Sequence, residues 1–292
     1  MNRSTVTFTS EGLQCVGWLY MPAHASEQQV PAIVMAHGFS LVKEAYLDRY
    51  AEIFCQGGLA VLVFDYRNFG ESDSYLPQHL EPSEQIKDYR NAISWISTLP
   101  EIDDNKIGIW GTSYSGGHVL HIGAVDRRVK AVVAQVPTIN GRKGAERKMG
   151  RKKFEQFLNN LTNYRTERYV TGQRKMYPVV AEDGVAAQPH PDAYKWFTET
   201  AETVAPSWKN EITLESMEHY VEYNPASFIE FISPTPLMMI AAMDDGITPP
   251  DLIIEAFEEQ AKEPKKLLKL PGGHFDVYNG PTFEQASKES LK

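Results

Sequence analysis

Residues 106–117, Lys106-Ile107-Gly108-Ile109-Trp110-Gly111-Thr112-Ser113-Tyr114-Ser115-Gly116-Gly117, constrain this chain more than any other stretch. The first part is a short apolar run of the kind buried inside a sheet. The last part opens a helix, and small residues make the turn between them. A serine at the top of such a turn projects its hydroxyl into a cleft, and the turn closes only if the positions two before and two after it are small. Gly111 and Ser115 hold those positions. The helix that follows aims its positive end and its free N–H groups at the same cleft. Ser113 is therefore expected to be a nucleophile.

The rest of the chain agrees with a strand–turn–helix unit. Thr5, Thr7 and Thr9 alternate with Val6 and Phe8, and a second run covers 13–21 after Glu11-Gly12, which predicts a β-hairpin. Apolar runs recur at 32–36, 60–64, 107–110, 129–136, 236–242 and 267–270. Their length and continuity suit strands buried on both faces. Helices are expected at 45–56, at 83–99 with Ser83 as N-cap, at 114–125 and at 251–261. This alternation implies an α/β fold: a mostly parallel twisted sheet with helices on both faces. From 138 to 231 no buried-strand run is found, and charged and aromatic segments take over. That stretch reads as an inserted helical cap between two parts of one core, 1–137 and 232–292.

The net charge of −9 argues against nucleic acid or an anionic membrane as a partner. No Gly-rich dinucleotide loop and no metal-spaced cluster of histidines or carboxylates is seen, so neither a cofactor nor a metal is expected. Cys15 and Cys55 have no framework spacing and are expected as buried thiols. No signal-peptide pattern and no apolar run near the ~20 residues of a membrane span occurs, so the expected compartment is the cytoplasm. The basic segment from Arg142 to Lys153 reads first as a solvated helix face, and second as a contact for an anionic tail such as a phosphate-bearing carrier.

Further motifs accompany the serine. Ala36-His37-Gly38-Phe39 follows an early strand; Phe64-Asp65-Tyr66-Arg67-Asn68-Phe69-Gly70-Glu71-Ser72 follows another; Leu270-Pro271-Gly272-Gly273-His274-Phe275-Asp276 follows a late one. Together with the Ser113 elbow they resemble the α/β-hydrolase superfamily from end to end. Within it, the wording after Gly117 and around His274 is similar to the dienelactone-hydrolase-like group, and more narrowly to fungal polyketide transferases and thiohydrolases. Two departures stand out: Ser115 where a second glycine is usual, and Asn68 where glycine is usual in the D-x-R-x-x-G-x-S loop.

The resemblance implies that the backbone N–H groups of Phe39 and Tyr114 form an oxyanion hole, with His37 bracing the loop. It implies the order serine, acid, histidine. Of the histidines after Ser113, His118 and His121 lie on the helix beyond the elbow and His190 and His219 in the cap. His274 alone follows a late strand, and its glycines let the loop approach the cleft. It is the expected base. Asp244 and Asp245 compete for the acid; in related hydrolases the acid commonly stands four residues before a proline, which Asp245 does with Pro249. Asp244 is then a turn or capping residue.

The expected function is cleavage of an ester or thioester of a hydrophobic acyl, polyketide or aromatic substrate through an acyl-enzyme. Acyl transfer to an alcohol and carbon–carbon or dienelactone cleavage use the same residues. A non-catalytic binding module on the same scaffold is the alternative of another class. Dehalogenase and epoxide-hydrolase chemistry would need an aspartate where Ser113 stands. A polyketide synthase carrier is a partner the resemblance allows, and a homodimer is left open. Among the cap aromatics Tyr164, Tyr169, Tyr177, Tyr194, Trp196, Phe197, Trp208, Tyr220, Tyr223 and Phe228, most are expected in the cap's own small core and some as a roof over the cleft.

Overall fold

The computed structural model describes residues 1–292. Strands β1 (Asn2–Ser10) and β2 (Leu13–Met21) form the expected hairpin, with Glu11 and Gly12 at positive φ in its turn. Then come β3 (Val30–Ala36), α1 (Leu47–Gln56), β4 (Ala60–Phe64), α2 (Pro82–Ile96), β5 (Ile102–Thr112), α3 (Tyr114–Val125) and β6 (Val129–Gln135). The segment after β6 contains α4 (Gly141–Met149), α5 (Arg151–Thr171), β7 (Met176–Tyr177), α6 (Pro191–Thr203), β8 (Ile212–Thr213) and α7 (Glu215–Glu222). The chain closes with β9 (Leu237–Ala242), α8 (Pro250–Gln260), β10 (Lys265–Leu270) and α9 (Gly280–Leu291).

Eight strands form one sheet in the order β1-β2-β4-β3-β5-β6-β9-β10. β1 and β2, and β2 and β4, pair antiparallel; every other pairing is parallel. The central strands are apolar because helices cover both faces: β4 and β9 are buried at every position. The edge strand β10 carries Lys265, Lys266 and Lys269, charges that discourage pairing with another chain. From β3 the chain moves outward to β4, then crosses back over β3 to β5 and continues the other way. The strand order therefore reverses between β3 and β5, and the loops leaving their carboxyl ends flank a crevice, the usual place for a ligand in such a sheet. Those loops carry Phe39 and Ser113.

The residues between β6 and β9 are largely helical, but they contain a short antiparallel pair, β7 with β8, that the sequence reading did not expect. Their aromatics also pack differently from the expectation of a separate small core. Trp196 stacks on Phe275 at 4.6 Å, Tyr220 stacks on Tyr114 at 5.8 Å and meets Phe39 edge-on at 5.6 Å, and Phe228 stacks on His121 at 3.9 Å. Most of them thus fasten this segment to the sheet domain. Tyr169 is fully solvent-facing, at 91% exposure. Much of the basic segment is spent the same way: Lys143 and Arg147 pair with Glu255 and Asp251 on α8. No helix is long and apolar enough to cross a membrane. Cys15 and Cys55 are buried, unpaired thiols.

Candidate active site

β5 delivers Ser113 in a backbone conformation, φ 57° and ψ −116°, that costs a non-glycine residue about 1–3 kcal/mol. Hydrogen bonds hold it there. Its N–H donates to the Gln135 carbonyl at 2.8 Å, and its carbonyl accepts from the Thr138 N–H at 2.9 Å. Gly111 is required, because a Cβ there would lie 2.2 Å from the Ser115 carbonyl oxygen. Ser115 fits where glycine is usual because its side chain turns inward, with Oγ 2.8 Å from the Tyr66 hydroxyl. Gly116 and Gly117 let the helix press against the backbone of Pro137 and Thr138. The other departure resolves similarly: Asn68 sits at φ 70°, the left-handed region that favours glycine and that asparagine tolerates.

His274 reaches the cleft on the loop after β10, where Gly272 has φ 95°. Its Nε2 lies 3.0 Å from Ser113 Oγ, and its Nδ1 lies 2.7 Å from Asp245 Oδ2. A carboxylate only accepts, so the ring proton sits on Nδ1 and Nε2 is left to accept from the serine hydroxyl. Asp245, on the loop after β9, is buried. Its Oδ1 accepts from the N–H groups of Ile247 at 2.7 Å and Thr248 at 2.8 Å. Burial pushes this carboxyl up, but His274 and the donors of Thr248 outweigh burial and hold it below the ordinary carboxylate range. Asp244 faces elsewhere: its Oδ2 accepts from the Gly272 N–H at 3.2 Å, bracing the histidine loop from outside.

The loop after β3 comes close because Gly38 has no side chain. A Cβ there would stand 3.0 Å from Ser113 Cβ and 3.5 Å from Ser113 Oγ. Beyond Gly38, Phe39 packs edge-on against Tyr114 at 5.5 Å. Tyr114 is the first helical residue, so its N–H has no acceptor within α3. His37 braces this loop: Nδ1 lies 3.0 Å from the Gly38 carbonyl, and Nε2 accepts from the Tyr66 N–H at 3.4 Å. Of the other histidines, His118 is held between the Tyr223 hydroxyl at 2.7 Å and Gln85 Oε1 at 2.9 Å, with no bond toward Ser113.

The sequence reading missed several members of the site. Thr248 Oγ1 lies 2.8 Å from Asp245 Oδ2 and 3.2 Å from His274 Nδ1, and its place between Asp245 and Pro249 was the available signal. Tyr278 hydrogen-bonds to Thr112, next to Ser113, at 2.7 Å. Phe39, Leu41, Gln188, Ala193, Phe197, Ile247, Phe275 and Tyr278 enclose Ser113 and His274 in a cavity of about 20 Å³. Such a volume holds a water molecule beside the hydroxyl. Outside this site the fold brings His79, Glu81 and His219 into one group. The sequence does not single this group out, because His219 comes from α7 and only His79 and Glu81 are neighbours in the chain.

A hydroxyl, an imidazole and a carboxylate in one hydrogen-bonded line can pass a proton from serine to histidine while the carboxylate stabilises the imidazolium. The comparisons agree with such chemistry. The chain is 31% identical to a thiohydrolase, AneE, of Aspergillus aculeatus, over 97% of this chain and 90% of that one. It is 30% identical to the quorum-quenching protein AidA of Acinetobacter baumannii, over 98% and 92%. A polyketide transferase, GrgF, from a Penicillium species is 31% identical over 94% and 90%. The crystal structure of the α/β hydrolase GrgF from Penicillium superposes with a TM-score of 0.82 over 99% of this chain and 97% of that one, at 27% identity. The fold is the α/β-hydrolase fold and the protein is a hydrolase-type enzyme. The profile of one family, the X-Pro dipeptidyl-peptidase family S15, matches residues 12–276, and the chain belongs to that family.

Proposed function

We propose that this enzyme cleaves an ester or thioester of an apolar acyl group through an acyl-Ser113 intermediate. The observation that carries the proposal is the line Asp245–His274–Ser113, with contacts of 2.7 and 3.0 Å, inside a largely apolar enclosure. His274 Nε2 takes the hydroxyl proton as Ser113 Oγ attacks the acyl carbon, and Asp245 stabilises the imidazolium. The carbonyl oxygen gathers negative charge and accepts hydrogen bonds from the Phe39 and Tyr114 N–H groups. The tetrahedral adduct then collapses, and His274 returns the proton to the departing thiolate or alkoxide. Water activated by the same histidine releases the acid and restores Ser113. The substrate is a small-molecule acyl compound. The names of AneE and GrgF favour a thioester of polyketide type as the acyl donor. The name of GrgF supports a second acceptor, an alcohol in place of water, with the rest of the cycle unchanged.

We read residues 138–231 as a cap over the cleft, since Ala193 and Phe197 of α6 help to enclose Ser113. The test of the whole reading is intact-mass detection of an acyl adduct across aryl esters and acyl thioesters, including carrier-bound ones. The adduct is expected on Ser113, and Ser113→Ala should abolish it and lower kcat by roughly 10⁴- to 10⁶-fold with the fold intact. Turnover retained by Ser113→Ala, with loss in Ser115→Ala, would move the nucleophile two residues along and sink the assignment.

A further inference from the structure

We propose that His79, Glu81 and His219 bind a divalent transition-metal ion of the zinc type at the seam between the sheet domain and α7. His79 and Glu81 lie in the loop that leads into α2, and His219 projects from α7. One ligand atom from each falls within 4.8 Å of the others. Two imidazoles and a carboxylate are a donor set that suits zinc, with metal–ligand distances of roughly 2.0–2.2 Å. The group is drawn wider than such a shell. Glu81 and His219 are only half-buried and have the freedom to close it.

The surroundings prepare each ligand. His79 Nδ1 lies 2.8 Å from Thr213 Oγ1, which is itself 2.8 Å from Ser216 Oγ. That bond fixes the orientation of the ring, as hydrogen bonds to metal-bound histidines do. His219 Nδ1 already touches Glu81 Oε2 at 2.9 Å. A second observation is independent of the ligand geometry: Glu81 and His219 open onto a cavity of about 230 Å³ that is also lined by Glu222 and His121. The cavity leaves room for a fourth ligand, water or the Glu222 carboxylate. Glu81 touches His219 and Glu222 lines the same cavity, carboxylates that suit a cation.

The site lies on the element that carries Tyr220, whose ring stacks on Tyr114 beside the nucleophile. A bound ion would therefore tie α7 to the loop before α2 and raise the stability of the folded protein by mass action. The experiment uses the full chain stripped with chelator and titrated with ZnCl₂ by calorimetry, with Co²⁺ absorption as the report on coordination. One zinc per chain is expected, with visible d–d bands of four-coordinate cobalt and a Tm that rises by several degrees in excess zinc. Glu81→Gln, His79→Gln and His219→Gln should each weaken binding by about 10-fold or more, and His274→Ala should retain it. Tm values without metal, measured for each variant, separate loss of the ion from loss of the Glu81–His219 contact. Absence of binding in excess zinc overturns the proposal. So does binding that survives all the cluster variants, or binding lost with His274.

Discussion

Two adjacent carboxylates at the end of β9 have different work because their side chains leave the backbone in opposite directions. Asp245 turns inward, takes two backbone N–H groups and faces His274 Nδ1 at 2.7 Å. Asp244 turns outward and accepts a single N–H, from Gly272. Asp245→Asn would offer an amide N–H where an acceptor is needed, leaving the imidazole in the wrong tautomer. A loss of about 10⁴-fold in kcat is expected. Asp244→Asn keeps a carbonyl oxygen for Gly272, so it should cost no more than about 1 kcal/mol of stability and leave kcat near that of the wild type. Steady-state kinetics and denaturant melts of the pair decide it: if Asp244→Asn is the damaging change, the roles are reversed. The spacing to Pro249 singles out Asp245 in the sequence, and Asp245 is the carboxylate that faces His274 in the structure. Thr248, which completes the carboxylate's partners, is marked in the sequence only by its place between Asp245 and Pro249, and its bonds to Val136 and His274 become visible only in the fold.

At the scale of elements, what could be read was whatever local backbone chemistry dictates. The elbow of β5 and α3 needs a small residue at each side of Ser113, and the sequence has one at each. Longer elements with mixed exposure were harder. β5 begins at Ile102, but Asp103 to Lys106 are largely exposed, so only its apolar end showed in the pattern. α2 starts at Pro82 with Glu81 as its cap, because the Glu81 carboxylate accepts from the Ser83 N–H at 3.2 Å; the expected cap, Ser83, is the second helical residue. α9 was missed, since a charged terminal helix opening with Gly280-Pro281 resembles a loop, although Leu291 packs beside Gly57. Two loops support the nucleophile, and their glycines should fail differently. Gly111→Ala forces a Cβ to 2.2 Å from the Ser115 carbonyl oxygen, within the elbow itself. It should lower stability by about 1–3 kcal/mol or more. Gly38→Ala places a Cβ 3.0 Å from that of Ser113 and 3.5 Å from its hydroxyl oxygen, so the two must part by tenths of an ångström. It should leave the Tm almost unchanged and lower kcat by roughly 10- to 100-fold, the cost of displacing reacting groups by a fraction of an ångström to an ångström. Gly38→Ala with wild-type kcat would show that the Phe39 loop does not serve the reaction.

The whole molecule poses a problem of access. Ser113 is 7% exposed, and the space beside it is narrow and lined largely by apolar side chains. The enclosure is made jointly: Phe39, Leu41, Ile247, Phe275 and Tyr278 come from the sheet domain, Gln188, Ala193 and Phe197 from the segment between β6 and β9. On the proposed reading of this segment as a cap, substrate admission is expected to displace that second group outward, with the stacked pairs Trp196–Phe275 and Tyr220–Tyr114 as the contacts to slide. Once admitted, an acyl chain lies against leucine, isoleucine and aromatic surface and is removed from water. Each buried CH₂ contributes about 0.8 kcal/mol, or roughly a factor of four in kcat/KM when the contact persists in the transition state. A series of thioesters with one leaving group and lengthening acyl chains should therefore show efficiency climbing about fourfold per carbon over several carbons, until the chain outgrows the opened space. The rise should appear in kcat/KM and flatten in Phe197→Ala, where part of the apolar wall is gone. A flat profile in the wild type, or a preference for acetyl, would mean that the segment shuts the cleft without lining it, and that its aromatics serve only to fasten it to the sheet.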